Sequence, residues 1–353
     1  MSSSISSSNA AMSLLEGYRA LDDAIFANSD NIAMNILSYV TRFAAASWSM
    51  VANHEIGGHG ASVREFDIKV TKYEVDPFSG TTYFRAKDFD SLQVHKKAAI
   101  DVGEMQASYL LSENIKDRYI SNHKIHPTYY GIGYFIARLD QATYIFDTNF
   151  NETDKKGNDI NAYTKLMNSI YGNNYITKSK MRSYAYLDLI DPFLFYSAYS
   201  FVMNTNLDNI PMINLGRVKY LSATRAILAP YGLERGLVNY FVIDDKYIQL
   251  NINYRKNQKF KSYGVGIKAN NLAKFDFIFL GLEAAYWNQH KMLTATPLKE
   301  KCKKGGFGAV NFELSLNDTF KIVGLGGYKT AGFIEGMPLK SSAIVRAGLK
   351  LDL

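Results

Sequence analysis

The stretch that decides the fold class is residues 247–255, which read YIQLNINYR. Apolar and polar residues take alternate positions in it: Ile248, Leu250, Ile252 and Tyr254 against Gln249, Asn251, Asn253 and Arg255. Because successive side chains of a β-strand point to opposite faces, this alternation predicts a strand with one apolar and one polar face. Residues 306–316 and 343–353 repeat the pattern.

Strand-like segments continue on both sides of this stretch, throughout the region after residue 230. Less strict alternation is present at about 233–244, 261–270, 274–288 and 320–334, with polar or glycine-containing turns between the segments. Tandem strands with hardly any helix between them predict an antiparallel β-barrel or sheet over residues 230–353. The flanking aromatic residues and the apolar alternation of the last strand resemble bacterial outer-membrane barrels. That resemblance implies the outer membrane of a Gram-negative bacterium, and a soluble antiparallel sheet is the alternative.

The preceding region, residues 16–229, is predicted to be mainly helical, after a flexible Ser-rich tail at 1–15. Apolar residues recur every three or four positions over residues 30–63, as on the buried face of a helix. Further helices are predicted at about 95–119, 129–148, 158–171 and 182–204, and residues 65–87 are predicted to form a hairpin insertion. The sequence therefore predicts an α+β protein, with a helical region before the strands.

Composition narrows the class of protein. Hydrophobic residues make up 47% of the 353 residues and charged residues 21%, which is typical of a folded chain and excludes global disorder. The net charge of +7 suits an anionic membrane surface, and its scattered Lys and Arg residues do not predict a nucleic-acid partner. Cys302 is the single cysteine, so no internal disulfide can form. The first 15 residues have no basic segment followed by an apolar one, so no signal peptide is predicted.

The chemistry is concentrated in residues 54–59, which read HEIGGH. Zinc hydrolases use neutral imidazoles as ligands and a nearby carboxylate to take a proton from water, which suits His54, His59 and Glu55. The common spacing between the two histidines is four residues, which places both on one helical face. Here the spacing is five residues, which on a regular helix would place the two histidines about 140° apart around the helix axis. Gly57 and Gly58 would tolerate an extra-residue bulge that turns His59 back toward His54.

This His-Glu-x-x-x-His arrangement resembles the dipeptidyl-peptidase III type of zinc peptidase, whose motif reads His-Glu-Leu-Leu-Gly-His. In that family the third ligand is a glutamate about 50 residues further on, within a second helix. The matching stretch here is 103–108, in which Glu104 takes the ligand position. The resemblance covers roughly residues 50–110 and implies that His54, His59 and Glu104 bind Zn²⁺, with Glu55 as the general base. Asp101 and Glu113, on the same predicted helix, are alternatives for the third ligand.

These features together predict a membrane-associated, zinc-dependent metalloprotease that acts on a peptide or protein substrate. The peptide bond as target follows from the resemblance alone, and Mn²⁺, Co²⁺ and Fe²⁺ accept the same ligands as Zn²⁺. Two alternatives stay open. One is a metal-dependent lipid or ester hydrolase, in which the aromatic helices at 129–148 and 184–203 would line a lipid-sized pocket. The other is a non-enzymatic outer-membrane barrel protein: a pore, an adhesin or an assembly factor.

Overall fold

The computed structural model describes residues 4–26, 31–122, 127–150, 158–203, 212–244, 246–256, 261–290, 302–317 and 320–351. The chain divides into two compact units. The first comprises residues 1–210 with the short segments 228–232 and 335–337, and the second comprises residues 211–227, 233–334 and 338–353. Helices make up most of the first unit and antiparallel strands the second, so the α+β class is confirmed.

The first unit is built from helices and one hairpin. Its described helices are α1 (Ser4–Phe26), α2 (Ile32–Ala52), α3 (Gly60–Glu65), α4 (Ala86–Asp90), α5 (Val94–Asp101), α6 (Gly103–Asn122), α7 (Pro127–Asp147), α8 (Asp159–Tyr171), α9 (Lys178–Asp188) and α10 (Pro192–Met203). A π-helical turn, Asn53–His59, joins α2 to α3. The strands β1 (Val70–Val75) and β2 (Gly80–Phe84) form an antiparallel hairpin, as predicted. Of the described helices, none is both long and apolar enough to cross a bilayer.

Three predictions for this unit need correction. Residues 4–15 lie in α1 and are not a flexible tail, because Ala11, Met12 and Leu15 are buried on one side of that helix. The helix predicted at 95–119 is divided into α5 and α6 at Val102. The helix predicted at 182–204 is divided into α9 and α10 before Pro192, because proline cannot donate a backbone hydrogen bond inside a helix.

A buried carboxylate on α1 holds α2, the helix that leads to the histidine motif. Asp22 on α1 accepts hydrogen bonds from Ser38 at 2.9 Å and from the Arg42 guanidinium at 2.8 Å, both on α2. Asn31 caps the same helix, since its side-chain oxygen accepts from the N–H of Ala33 at 2.8 Å. These contacts hold α2 against α1 ahead of the motif.

The second unit is a nine-stranded antiparallel sheet in which each strand is hydrogen-bonded to its neighbours in sequence. Its strands are β3 (Ile213–Leu215), β4 (Val218–Ala229), β5 (Gly232–Ile243), β6 (Lys246–Lys256), β7 (Lys261–Phe275), β8 (Ile278–His290), β9 (Cys302–Ser315), β10 (Phe320–Lys329) and β11 (Ser342–Leu351). The strands begin at Ile213, before the predicted boundary at residue 230. The alternation of β4 is obscured because Arg225 is buried on it and small residues lie on both faces.

Across the described residues the sheet is open, with β3 and β11 at its two edges, and it does not close into the predicted barrel. Alternation specifies the two faces of each strand, but it does not specify whether the first and last strands pair. Here β3 has three residues and β11 has ten, so β3 offers no full-length partner for β11.

One face of the sheet exposes many apolar side chains. On β6, Ile252 and Tyr254 are 43% and 45% exposed, whereas Gln249 and Arg255 on the opposite face are 5% and 3% exposed. The apolar face is exposed on other strands as well, at Tyr263, Val265, Ile267, Leu282, Tyr286, Val310, Phe312, Tyr328, Val345 and Leu349. On the polar face Glu313 forms ion pairs with Lys321 and Lys350. The described strands thus expose apolar side chains on one face, and four of their charged residues are buried: Arg225, Glu234, Arg255 and Lys329.

Candidate metal centre

The histidine motif lies in the π-helical turn at the end of α2. The N–H of Gly60 donates to the backbone oxygen of Glu55, five residues earlier, which is the hydrogen bond of a π-helix. This wider turn accommodates the one residue by which the motif exceeds the common spacing, and it brings His54 and His59 to the same side. The predicted bulge is therefore present.

The two glycines of the motif let neighbouring helices approach the turn. A Cβ atom on Gly58 would lie 2.3 Å from Cα of Glu104 on α6. A Cβ atom on Gly57 would lie 2.4 Å from Cβ of Ser7 on α1. Both distances are far below ordinary van der Waals contact, so any larger residue would push these helices away. Gly58 thus lets Glu104 lie beside the histidines, and Gly57 lets α1 approach the same turn.

The three predicted ligands meet at one oxygen atom. Oε2 of Glu104 lies 2.6 Å from Nε2 of His54 and 2.8 Å from Nε2 of His59. Candidate ligand atoms that lie within 4.8 Å of one another form two clusters that share Glu104: His54 with Glu55 and Glu104, and His59 with Glu104 and Asp159. Ligand atoms about 2.0–2.1 Å from a tetrahedral zinc ion are about 3.3 Å apart, so to bind one ion the two histidine nitrogens would move closer together and the glutamate oxygen would move outward. Among the described residues, the groups able to hold a metal include Glu104 and not the alternatives Asp101 and Glu113.

Two further carboxylates contact the histidines, and the sequence analysis missed both. Asp140 on α7 lies with its Oδ2 3.1 Å from Nδ1 of His54. Asp159, the first residue of α8, lies with its Oδ2 3.0 Å from Nε2 of His59. Both were inside predicted helices, but the helical pattern does not indicate which carboxylate packs against a motif about a hundred residues away. Tyr144 on α7 supports Asp159, whose backbone N–H donates to the tyrosine oxygen at 3.1 Å.

Glu55, the predicted general base, is buried next to these donor atoms and is held by the hairpin. One of its carboxylate oxygens lies within 4.8 Å of the candidate ligand atoms of His54 and Glu104. The Thr82 hydroxyl on β2 donates to Oε2 of Glu55 at 2.7 Å. A Cβ atom on Gly80 would lie 2.5 Å from Cγ of Glu55, so a glycine is needed where the hairpin crosses this side chain. The hairpin insertion therefore orients the carboxylate.

The charges of the site shift the pKa values of its groups in opposite directions. Burial alone would lower the pKa of His54, but Glu104 and Asp140 raise it well above its ordinary value. Burial also opposes charge on His59, whose pKa is nevertheless raised by Asp159 and Glu104. Burial would raise the pKa of Glu104, yet the two histidines hold it below its ordinary range. Strong electrostatic attraction therefore links these side chains.

Other acidic groups at the site are destabilised as anions. Burial, followed by the charge of Asp159, raises the pKa of Asp101 well above its ordinary value. Burial, followed by the charge of Glu104, raises the pKa of Asp159. Several carboxyl groups therefore lie close together around two histidines inside a helical unit. A divalent cation would relieve this repulsion, because it attracts all of these carboxylates at once.

The donor set fits a metal ion by two further criteria. Oε1 of Glu104 is buried and has no hydrogen-bond partner among the residues that the structure describes, although a buried carboxylate oxygen normally has one. Imidazole nitrogens and carboxylate oxygens are ligands that Zn²⁺ binds, and Mn²⁺, Co²⁺ and Fe²⁺ accept them too. The residues present are thus able to hold a divalent transition metal.

Comparisons with protein-family models, curated proteins and solved structures found no match for this chain. The site is therefore interpreted from its own geometry. Among the other histidines, Nδ1 of the buried His95 lies 3.0 Å from the backbone oxygen of Pro230, within the same unit, which suits a structural role. His123 and His126, interpreted from the sequence as surface histidines, lie outside the described residues.

Proposed function

We propose that this protein is a zinc-dependent hydrolase in which His54, His59 and Glu104 bind the metal and Glu55 is the general base. The observation that carries the proposal is the convergence of both Nε2 atoms on a single glutamate oxygen, at 2.6 and 2.8 Å. That convergence depends on the π-helical turn, which tends to occur at functional sites in proteins.

The chemistry divides between the ion and the side chains. Zn²⁺, when bound, supplies a Lewis acid that polarises a carbonyl oxygen and makes water more acidic. Glu55 takes the proton from the attacking water and returns it to the leaving group, as a general base and then a general acid. The Thr82 hydroxyl fixes the carboxylate of Glu55 for this task. Asp140 holds Nδ1 of His54, which keeps Nε2 directed at the metal position.

Membrane association is the second part of the proposal. An exposed apolar face on a sheet is unfavourable in water and favourable in lipid. The exposure of Ile252, Tyr254, Val345 and Leu349 supports the outer membrane of a Gram-negative bacterium as the location. A peptide or protein substrate is proposed on the motif resemblance. We thus propose a membrane-associated metalloprotease.

The first experiment measures metal content by mass spectrometry on the purified protein. Wild type should contain about one zinc per chain, and His54→Ala and His59→Ala should contain none. His95→Asn is the matched control, because it replaces another buried histidine and keeps a donor for the Pro230 oxygen. No bound metal in wild type, even after reconstitution with zinc, would exclude the hydrolase.

A non-enzymatic outer-membrane protein is the second candidate, and the same exposed sheet face favours it. It predicts that Glu55→Gln leaves every phenotype intact and that no stoichiometric metal is bound. A lipid or ester hydrolase would share the zinc content of the protease. Peptide and ester substrates tested side by side, with Glu55→Gln as the inactive control, separate these two enzymes.

A further inference from the structure

His59 presents one nitrogen to two carboxylates. Its Nε2 lies 2.8 Å from Oε2 of Glu104 and 3.0 Å from Oδ2 of Asp159. An imidazole nitrogen carries at most one proton, so it cannot give a full hydrogen bond to both oxygens. Nε2 of His54 faces the same Glu104 oxygen. The ligand atoms of His59, Glu104 and Asp159 all lie within 4.8 Å of one another, as they would around one ion.

Asp159 and Asp140 approach the histidines in different ways. Asp140 contacts Nδ1 of His54, while Nε2 of that ring faces Glu104. Its position is that of an outer carboxylate that orients a histidine ligand. Asp159 instead contacts Nε2 of His59, the nitrogen that also faces Glu104. Its position is therefore that of a ligand.

The fold fixes Asp159 at this place. It is the first residue of α8, and the preceding Asn158 caps the helix by accepting from the N–H of Asn161 at 2.8 Å. The next residue, Ile160, and Tyr163 one turn later are completely buried. A carboxylate at the start of an anchored helix loses little side-chain freedom when it binds an ion, because the backbone already holds it.

We propose that Asp159 is a fourth protein ligand of the metal, which makes the centre His54, His59, Glu104 and Asp159. This inference rests on the proposed zinc site. Two carboxylates balance the 2+ charge of the ion, which suits a buried position where net charge is costly. Oε1 of the buried Glu104 has no hydrogen-bond partner among the described residues, so it is a further donor atom that a cation could use. Catalytic zinc sites usually have three protein ligands and can expand to five-coordinate, so hydrolysis at a centre with four protein ligands would use the fifth position.

The first test uses zinc affinity, measured by competition with a chromophoric chelator on the full-length chain. Asp159→Asn should raise the Kd for zinc at least tenfold and change the visible spectrum of the Co²⁺-substituted protein, because a ligand is lost. Asp140→Asn should weaken binding but keep the Co²⁺ band pattern, because it changes an outer contact. If wild type binds one zinc and Asp159→Asn has the wild-type Kd and Co²⁺ spectrum, the inference is wrong and the proposed function stands.

A second test does not depend on the stability of Asp159→Asn. Asp159→Cys, made in a Cys302→Ser background, should give an intense thiolate-to-cobalt charge-transfer band with Co²⁺, because cysteine at this position would bind the ion. Asp140→Cys in the same background is the matched control and should give no such band. A band absent at position 159, or present only at position 140, would overturn the assignment. A wild-type protein that binds no metal would overturn the proposed function as well.

Discussion

Gly58→Ala tests whether the close approach of α6 creates the metal site. The added Cβ atom would lie 2.3 Å from Cα of Glu104 and 2.7 Å from its backbone nitrogen. Carbon atoms in contact are about 3.5–4.0 Å apart, so the backbone would have to separate by roughly 1.2 Å or more. Overpacking of this kind costs about 1–3 kcal/mol. For a unit of this size that lowers the midpoint of thermal unfolding by roughly 2–12 °C.

The same displacement should weaken metal binding, because ligand distances tolerate changes of only about 0.2 Å. We expect the Kd for zinc to rise at least tenfold in Gly58→Ala, measured with a competing chelator. Gly17→Ala is the matched control, since it makes the same change in α1, where no atom of the described residues lies within 4 Å of the added Cβ. It should raise the unfolding midpoint by about 2–4 °C, through better helix propensity, and leave zinc binding unchanged. A Gly58→Ala protein that melts and binds zinc like wild type would refute this account of the turn.

Three other predictions concern the general base, the helical core and the sheet. Thr82→Val should lower the hydrolysis rate and leave the zinc content unchanged, because it removes the hydrogen bond to the Glu55 carboxylate and changes no metal ligand. Loss of zinc from this variant would contradict the prediction. Asp191→Asn should destabilise the first unit by about 3–5 kcal/mol at neutral pH, since it breaks a buried pair whose Lys116 Nζ lies 2.7 Å away. Burial would raise the pKa of Asp191, but Lys116 and Arg138 hold it below its ordinary value. The stabilisation that the Asp191 carboxylate gives is thus complete above the pKa of about 3.9 that this group has in the unfolded chain. As the pH falls below that value, the unfolding midpoints of variant and wild type should converge. Wild type should float with phosphatidylglycerol-containing vesicles on a density gradient, whereas Ile252→Asp combined with Val345→Asp should float less and Lys321→Gln should float normally. Wild type that stays at the bottom of the gradient would argue against lipid contact.

The sequence predicted local features of the site better than its tertiary contacts. The five-residue spacing of His54 and His59, with Gly57 and Gly58 between them, predicts a bulge because a regular helix would separate the two rings. Asp140 and Asp159 were missed because their contacts with the motif depend on how α7 and α8 pack. Nothing in the pattern of either helix distinguishes these acids from the others along the chain.

The tail prediction failed for a related reason. The serines of residues 2–8 indicated a flexible segment, yet α1 begins at Ser4 and buries Ser8 together with Leu15. Ser8 is buried where its hydroxyl is hydrogen-bonded to the side chain of Asn114 on α6. A polar residue that finds its partner in a distant helix looks the same in the sequence as one that meets water. Its role depends on the tertiary structure.

For the sheet, the sequence pattern predicts the strands but not which of their faces is buried. The alternation on β6 correctly placed Ile252 and Arg255 on opposite faces, but the same pattern results whichever of the two faces is buried. In water the hydrophobic effect favours burial of the isoleucine face, whereas in the structure Arg255 is buried and Ile252 is exposed. We propose that a face of this kind, exposed over several strands, contacts an apolar surrounding, and the vesicle experiment tests this proposal.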